Sequence, residues 1–534
     1  MVEVDSSFKE ALRAKSRPTN FFKKRAQVAT VIALVGLCAI VQAFPGDASL
    51  RSLARSDFAQ RQARRRESQH TASLGTVLPN RARGRAWDKG LTVGVAQPGD
   101  ANAYSSPLQR TFAGKHVYIL THEISASGAP RVCTELALVL LRADAQVSLA
   151  TYPSGKITSV VEMASQVSAL IPNATGLNLL TDAPLDVAST ADLVIVATAV
   201  SWQAAWLRRF RNAYPSYPAL VWWIHEGSAV MKVFPETDTR IAVDIISAQH
   251  PRVIDAVIFP SWATRTWWID EIARSEKAVT VRTLPPVAAV VHWGVPSWRA
   301  SKMSATRSDS SVRAESRAMR GYERKDFVFV VLGTFHPIKG YVGVFKAFDL
   351  ARKACGPRLR LLASGTKDAT NEHLIFPPDL AWVREDSAVQ LENITKAVPA
   401  FLAAGDVYIS NTKAGGETWG LATLEALAMG LPSLVSRAGG SLEMVEHGVT
   451  ALMHDVAKVT RPQDDTGEEI PQLAYHMCVL ARDAELRDQI GTAGRELVTQ
   501  RLNQAHIDEA LVNTFAGLLQ ASAGWQRPTP HATP

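Results

Sequence analysis

The sequence predicts an α/β protein of two Rossmann-like domains facing each other across a cleft. Three observations carry that expectation. A strand, turn, helix, strand series begins at 115. A second series of alternating strands and helices begins at 327. A polar Ser/Arg-rich break, 298–325, separates the two. Alternating β and α elements imply parallel sheets with helices on both faces. Two such series imply two doubly wound domains, with ligands at the carboxyl ends of the strands.

In the first series, 115–121 is a buried-strand run, 125–130 a Gly/Pro-containing turn, 132–141 a packed helix and 146–150 a second strand, which together make a βαβ unit. Further strands are expected at 193–197, 220–224, 256–259 and 287–292. In the second series, strands are expected at 327–332, 359–363, 407–410 and 433–435, and helices at 339–351 and 418–429. The resulting division is a first domain over 114–297, a linker over 298–325, a second domain over 326–500, a final helical segment over 501–524 that packs back on the first domain, and a Pro-rich disordered tail over 525–534.

The first 113 residues read differently. Residues 26–44 carry no charge, and as a helix they span ~28 Å, enough for a thin bilayer. Six basic residues, Arg13, Lys15, Arg17, Lys23, Lys24 and Arg25, precede the run, whereas 46–60 balance two Arg against two Asp. The positive-inside rule then places 1–25 in the cytosol as a tail and the remainder in a lumen. A signal peptide cleaved near 41–43 and an organelle transit peptide are the competing readings. Residues 45–113 lack sustained apolar periodicity and read as a flexible stem. The net charge of +8 comes with no nucleic-acid module. Four Cys among 534 residues are too scattered for a disulfide scaffold or a zinc site, and one thiol is left over if two of Cys133, Cys355 and Cys478 pair.

The most informative segment is 405–450. A strand ends at Ser410, a Gly-containing loop follows, and a helix is expected from about Thr418. Glu417 and Glu425 are eight positions apart, ~12 Å along a helix axis. That separation suits one carboxylate on a ribose and the other on a sugar beyond a diphosphate. Backbone N–H groups at the helix start suit the anion between them. Gly439-Gly440 follows the next strand, where close approach of a ligand to the backbone calls for residues without Cβ.

This stretch resembles the nucleotide-sugar-binding domain of glycosyltransferase family 4, whose architecture is GT-B. Glu417 and Glu425 match the Glu-x7-Glu motif, with Gly416 before it. Trp419-Gly420 stands where Phe-Gly is usual, and Leu421 follows it. Gly439-Gly440-x-x-Glu443 and Gly448 match the next signature. Upstream, Gly333-Thr-Phe-His-Pro-Ile-Lys339-Gly340 is similar to the family's first donor-domain loop, in which the Lys neutralises the donor diphosphate. Thr334 replaces the basic residue usual there. Thr121-His122-Glu123-Ile-Ser-Ala-Ser-Gly128-Ala129-Pro130 is similar to the family's first loop, and Trp222-Trp223-Ile-His225-Glu226 to a segment in its plant and algal branch.

The resemblance implies a retaining transfer of a sugar from a UDP- or GDP-sugar to a glycan, protein or lipid acceptor. The nucleotide-sugar is then a co-substrate, with no cofactor. Lys339, Glu417 and His225 are the implied catalytic residues. Glu425, Thr334, Gly128, Gly416, Trp419, Gly420, Leu421, Gly439 and Gly440 join Lys339 in donor binding. No Asp-x-Asp occurs, so no metal is expected. The sequons at Asn173 and Asn393, with the apolar run, point to a Golgi or endoplasmic-reticulum membrane protein of type II topology, its catalytic domain luminal. The alternative is a catalytically silent, membrane-anchored protein that binds sugar nucleotides or glycans.

Overall fold

The computed structural model describes residues 106–125, 128–151, 176–233, 237–247, 252–274, 285, 287–365, 372–393, 397–456 and 469–524. The expected anchor at 26–44, residues 45–105 of the expected stem, Asn173 and the tail at 525–534 lie outside them; the end of the expected stem does not, and it is a correction, because 107–112 form a helix that buries Leu108 and Phe112 and so belongs to the first domain. Among the described residues no helix is long and apolar enough to cross a membrane.

Two parallel sheets form the frame. The first comprises β1 (His116–Thr121), β2 (Gln146–Thr151), β3 (Leu177–Leu180), β4 (Leu193–Ala197), β5 (Ala219–Trp223), β6 (Ala256–Phe259) and β7 (Val287–Val290), in the order β3-β2-β1-β4-β5-β6-β7. The second comprises β8 (Phe327–Leu332), β9 (Leu359–Gly365), β10 (Val389–Asn393), β11 (Val407–Ser410), β12 (Ser433–Ser436) and β13 (Leu452–His454), in the order β10-β9-β8-β11-β12-β13. In both, the order reverses beside the first strand, which creates the crevice where ligands of such sheets bind.

Apolar alternation explains why the first sheet is covered on both faces. Val117, Ile119, Leu193, Ile195, Val221 and Trp223 belong to one core. Tyr118, Leu120, Val194, Val196, Leu220 and Trp222 belong to the other. Successive side chains of a strand point to opposite faces. An unbroken apolar run therefore fills both layers. Trp222 and Trp223 are both core residues, and the Trp222 indole donates to the Thr198 carbonyl at 2.7 Å.

Three differences from the sequence reading have physical causes. First, the polar 298–325 break, read as a linker with no element assigned, is largely helical. It holds the helices Ser297–Ser308 and Ser310–Ala318. Their polar composition hid the packing, because the contacts are made by arginines. Arg313 donates to the carbonyls of Ala403 and Gly405, and Arg317 to those of Ala404, Glu323 and Asp326. Both also pair with Asp406. Second, strands β3, β10 and β13 carried no strand signal, being short edge or near-edge strands with modest apolar density. Third, the helix expected at 418–429 is Leu421–Ala428, so Glu417 precedes it on the loop, and the helical rise does not set the spacing of the two glutamates.

The helix Tyr341–Cys355 lies against Glu469–Arg482, and a Cys355–Cys478 disulfide joins them. Cys133 is a free, buried thiol. The last described helix, Gln504–Ala523, packs on Pro107–Phe112 of the first domain, with Phe515 edge-on to Phe112 at 6.3 Å.

Candidate active site at the domain junction

The carboxyl ends of β8, β11 and β12 each deliver one loop. After β8, His336 accepts from the Ile338 N–H through Nδ1 at 3.2 Å and starts the single turn Pro337–Lys339. Gly340 follows at φ +65°, pressed against Asn411, where a Cβ would overlap that residue's carbonyl. The turn projects Lys339, and its Nζ lies 3.0 Å from Glu417 Oε2. The Thr412 hydroxyl reaches the same oxygen at 3.3 Å. The expected diphosphate cation and the expected sugar-binding carboxylate thus stand side by side. Thr334 is exposed near the start of the loop, and its carbonyl accepts from the His336 N–H.

Gly439 and Gly440 add a second reason for residues without Cβ. Their missing Cβ atoms make room for the chain itself. A Cβ on Gly439 would overlap the Glu417 carbonyl, and one on Gly440 the Thr418 carbonyl. The Gly440 N–H donates to the Glu417 carbonyl at 3.2 Å. The glycine pair therefore docks the β12 loop on the loop that carries Glu417. Gly416 is tight in the same way, against Ile338. Gly128 is not: it opens the helix Gly128–Arg142, exposed, with nothing near its Cβ position.

From the first domain, β5 delivers His225 and Glu226. The His225 ring stacks on Trp223 at 5.5 Å, and its Nε2 is buried without a hydrogen-bond partner among the described residues. Burial, and then the neighbouring His122, push its pKa down to about 3, so the imidazole is neutral at physiological pH. Glu226 accepts from the Ala199 N–H at 2.7 Å. Burial nevertheless raises its carboxyl to about 7. The two domains touch here: Thr418 donates to the His225 carbonyl at 2.8 Å, and the Ala229 N–H to the Gly415 carbonyl at 3.1 Å.

Three further contacts across the junction join residues the motifs mark, Trp419, Glu443 and Glu425, to partners that carried no recognised sequence signal. The Trp419 indole donates to the Trp293 carbonyl at 2.7 Å, and its ring stacks on His292 at 4.5 Å. Glu443 accepts from the N–H groups of Trp262 and Ala263, at the start of the helix Trp262–Arg274, and from His292 Nε2 at 2.8 Å. Glu425, 1% exposed, is gripped by Arg131, which meets both its oxygens, and by Arg299 at 3.1 Å. Both arginines also pair with buried Glu135, which accepts from the Trp293 indole at 2.7 Å. Burial alone would lower the Arg131 guanidinium, but Glu425 and Glu135 hold it above its ordinary value. Burial would raise the Glu135 carboxyl, but Arg299 and Arg131 hold it below. The expected ribose ligand is therefore committed, in this structure, to two arginines from outside its own domain. Arg131 and Glu135 sit four positions apart in a largely apolar helix, which is the trace such a network leaves in a sequence.

Comparison with known proteins agrees with this geometry. Residues 113–240 match the family "Glycosyl-transferase family 4", and residues 312–462 match "Glycosyl transferases group 1". The chain is 26% identical over 187 residues to N-acetyl-alpha-D-glucosaminyl L-malate synthase of Bacillus anthracis, covering 35% of this chain and 44% of that protein. It is 28% identical over 209 residues to a GDP-mannose-dependent alpha-(1-6)-phosphatidylinositol monomannoside mannosyltransferase of Mycobacterium tuberculosis, covering 36% and 48%. The chain thus spans somewhat under half the length of the curated relatives it matches. Among solved structures, Anabaena HepE in complex with UDP and glucose superposes with a TM-score of 0.59 at 17% identity, covering 76% of this chain and 100% of that one. Sucrose-phosphate synthase from Thermosynechococcus elongatus gives 0.53 at 15% identity, with 76% and 100% covered. With both domains in this order on two Rossmann-like parallel sheets, the chain is a GT-B protein of the glycosyltransferase family 4 type.

Proposed function

We propose that the protein is a retaining glycosyltransferase that moves a sugar from a UDP- or GDP-sugar to a glycan, protein or lipid acceptor. The observation that carries this reading is the Lys339–Glu417 pair at the carboxyl edge of the second sheet. Sugar departure builds negative charge on the diphosphate. Lys339, released from Glu417 by the incoming donor, and the open N–H groups at the start of Leu421–Ala428 are the donors available to meet that charge. We propose that no metal takes part. Glu417, freed from Lys339, holds the sugar hydroxyls. His225, kept neutral, presents an unpartnered ring nitrogen on the opposing wall. Glu425 is proposed to bind the ribose, which requires it to leave Arg131 and Arg299.

The location is also a proposal: a type II membrane protein of the Golgi or endoplasmic reticulum, anchored by 26–44, with its catalytic domains luminal. The Cys355–Cys478 disulfide supports an oxidising compartment. Asn393 is exposed at the end of β10, as a glycan acceptor must be. The second reading, a silent membrane-anchored binder of sugar nucleotides or glycans, is favoured by one observation: Thr334, exposed near the start of the Lys339 loop, brings no second charge to a diphosphate.

Thermal shift with UDP, GDP, ADP and their sugar forms, in the presence of chelator, tests the reading. A ligand at 100 times its Kd adds ~2.7 kcal/mol of stability. One base and its sugar form should stabilise the protein, and that donor should be turned over. Stabilisation without transfer or hydrolysis of any donor would establish the silent binder instead. Loss of donor turnover on chelation would overturn the metal-free site.

A further inference from the structure

A charged cavity opens at the other end of the second sheet from the Lys339–Glu417 pair, with Met429 of its lining one helical turn from Glu425. It measures about 360 Å³ and opens at the amino ends of β11 and β12, beside Gly405, Asp406 and Pro432. The Lys339–Glu417 pair sits at the opposite, carboxyl end of the same sheet. Four arginines reach the cavity from three helices: Arg307 and Arg313 from the two linker helices, and Arg487 and Arg495 from Ala484–Arg501.

These arginines divide into two kinds. Arg313 is fixed by the carbonyls of Ala403 and Gly405 and by Asp406. Arg487 is fixed by the carbonyls of Leu480 and Ala481, and stacks on Phe327 at 5.0 Å. Both are held in place as parts of the wall. Arg307 and Arg495 are exposed and make no hydrogen bond or ion pair among the described residues. Two carboxylates oppose the four guanidinium groups. Asp406 is already engaged by Arg313, Arg317 and the Val328 N–H. Asp488 is exposed at the rim. Desolvation, and then the like charges of Arg313 and Arg495, hold the Arg307 guanidinium below its ordinary value, against the pull of Asp406 and Asp488. Four guanidinium groups against two carboxylates, one of them already engaged, leave a net positive concave site, the arrangement that binds an anion. Planar guanidinium forks suit phosphate oxygens.

We propose that this cavity is a second anion site, distinct from the donor site, that takes a soluble pyrophosphate or phosphorylated small molecule between Arg307 and Arg495. The ligand ties the linker helix Ser297–Ser308 to the helix Ala484–Arg501 and stiffens the connection between the domains. The inference does not depend on which donor, if any, the junction turns over.

The test uses the full chain and inorganic pyrophosphate as probe, by titration calorimetry. The Arg307→Ala/Arg495→Ala double variant removes two exposed side chains and should keep its fold, checked by circular dichroism. Lys339→Ala removes the donor-site cation. Pyrophosphate should bind wild type and Lys339→Ala alike, and about tenfold or more weakly to the double variant, the loss expected for removing charge-assisted phosphate contacts. UDP affinity should be unchanged in the double variant. Pyrophosphate binding that disappears in Lys339→Ala and persists in the double variant would assign the anion to the donor site and overturn the proposal. So would no binding to wild type. Arg307- and Arg495-dependent sedimentation with phosphatidic acid vesicles, without pyrophosphate binding, would replace the soluble ligand by a lipid headgroup.

Discussion

Lys339 and Glu417 illustrate what a single residue can and cannot disclose. Their residue types and motif positions were legible in the sequence, whereas their mutual ion pair was not, because it depends on a loop of β8 meeting a loop of β11. The pairing sets an expectation. Lys339→Ala should lower kcat by ~10²–10³, the usual effect of deleting one group that stabilises a developing anion, and KM for the donor should change less. A steady-state comparison checks it, and an equal fall in nucleotide affinity alone would contradict it. Glu226 offers a second test. Its folded pKa of about 7 lies above the ordinary carboxyl value of 4.5, so the folded state holds the proton more tightly. Its stabilising contribution is complete below about pH 4.5 and is lost as pH rises toward 7. Glu226→Gln keeps an acceptor for the Ala199 N–H and should remove that slope. Relative to wild type it should gain stability, up to ~3 kcal/mol, between pH 5 and pH 8. Denaturant titrations at the two pH values measure this.

At the scale of elements, glycines separate by what surrounds them. Gly440→Ala should push the β12 loop off Thr418 and disorder the Glu417 loop, lowering donor affinity by about tenfold or more, as misplacement of a positioning loop does. Gly128→Ala should leave both affinity and stability nearly unchanged, because its Cβ would stand in open space. Donor titration of the two variants decides it. The sequence pointed to Gly439-Gly440 for a ligand, and the chain itself is a neighbour it did not disclose. A missing Cβ signals crowding without saying whether ligand or chain does the crowding. The linker helices failed for a related reason. Apolar periodicity finds elements that bury hydrocarbon, whereas Ser310–Ala318 is held through Arg313 and Arg317 binding carbonyls. The central strands were legible because burial on both faces leaves a continuous apolar run, which the edge strands β3 and β10 do not need.

For the whole molecule, the Arg131–Glu135–Arg299–Glu425 cluster couples the two domains through buried charge. Arg131→Met strips a partner from two buried carboxylates and should destabilise the protein by ~3 kcal/mol or more. Arg131→Met with Glu425→Leu should recover part of that loss, and a double-mutant cycle in denaturant supplies the coupling energy. If Glu425 also serves the ribose, Arg131→Met should tighten UDP binding as its stability falls. No coupling would reduce the cluster to independent pairs. This arrangement was out of reach of the sequence, since its members lie 294 positions apart at the extreme.

The anchoring of the linker arginines has a practical consequence for dividing the protein. The chain crosses between domains at two neighbouring places, where the Val295 N–H donates to the Leu502 carbonyl and Gly294 lies against that same residue. A nucleotide-binding fragment begun at 326 would strip the carbonyls of Ala403, Ala404 and Gly405 of their donors and leave Asp406 without either guanidinium. Begun at Ser297 and ended at Arg501, it keeps those bonds. Any exchange of first domains between relatives should therefore splice at this paired crossing, and carry the two helices along as the second domain's own cuff.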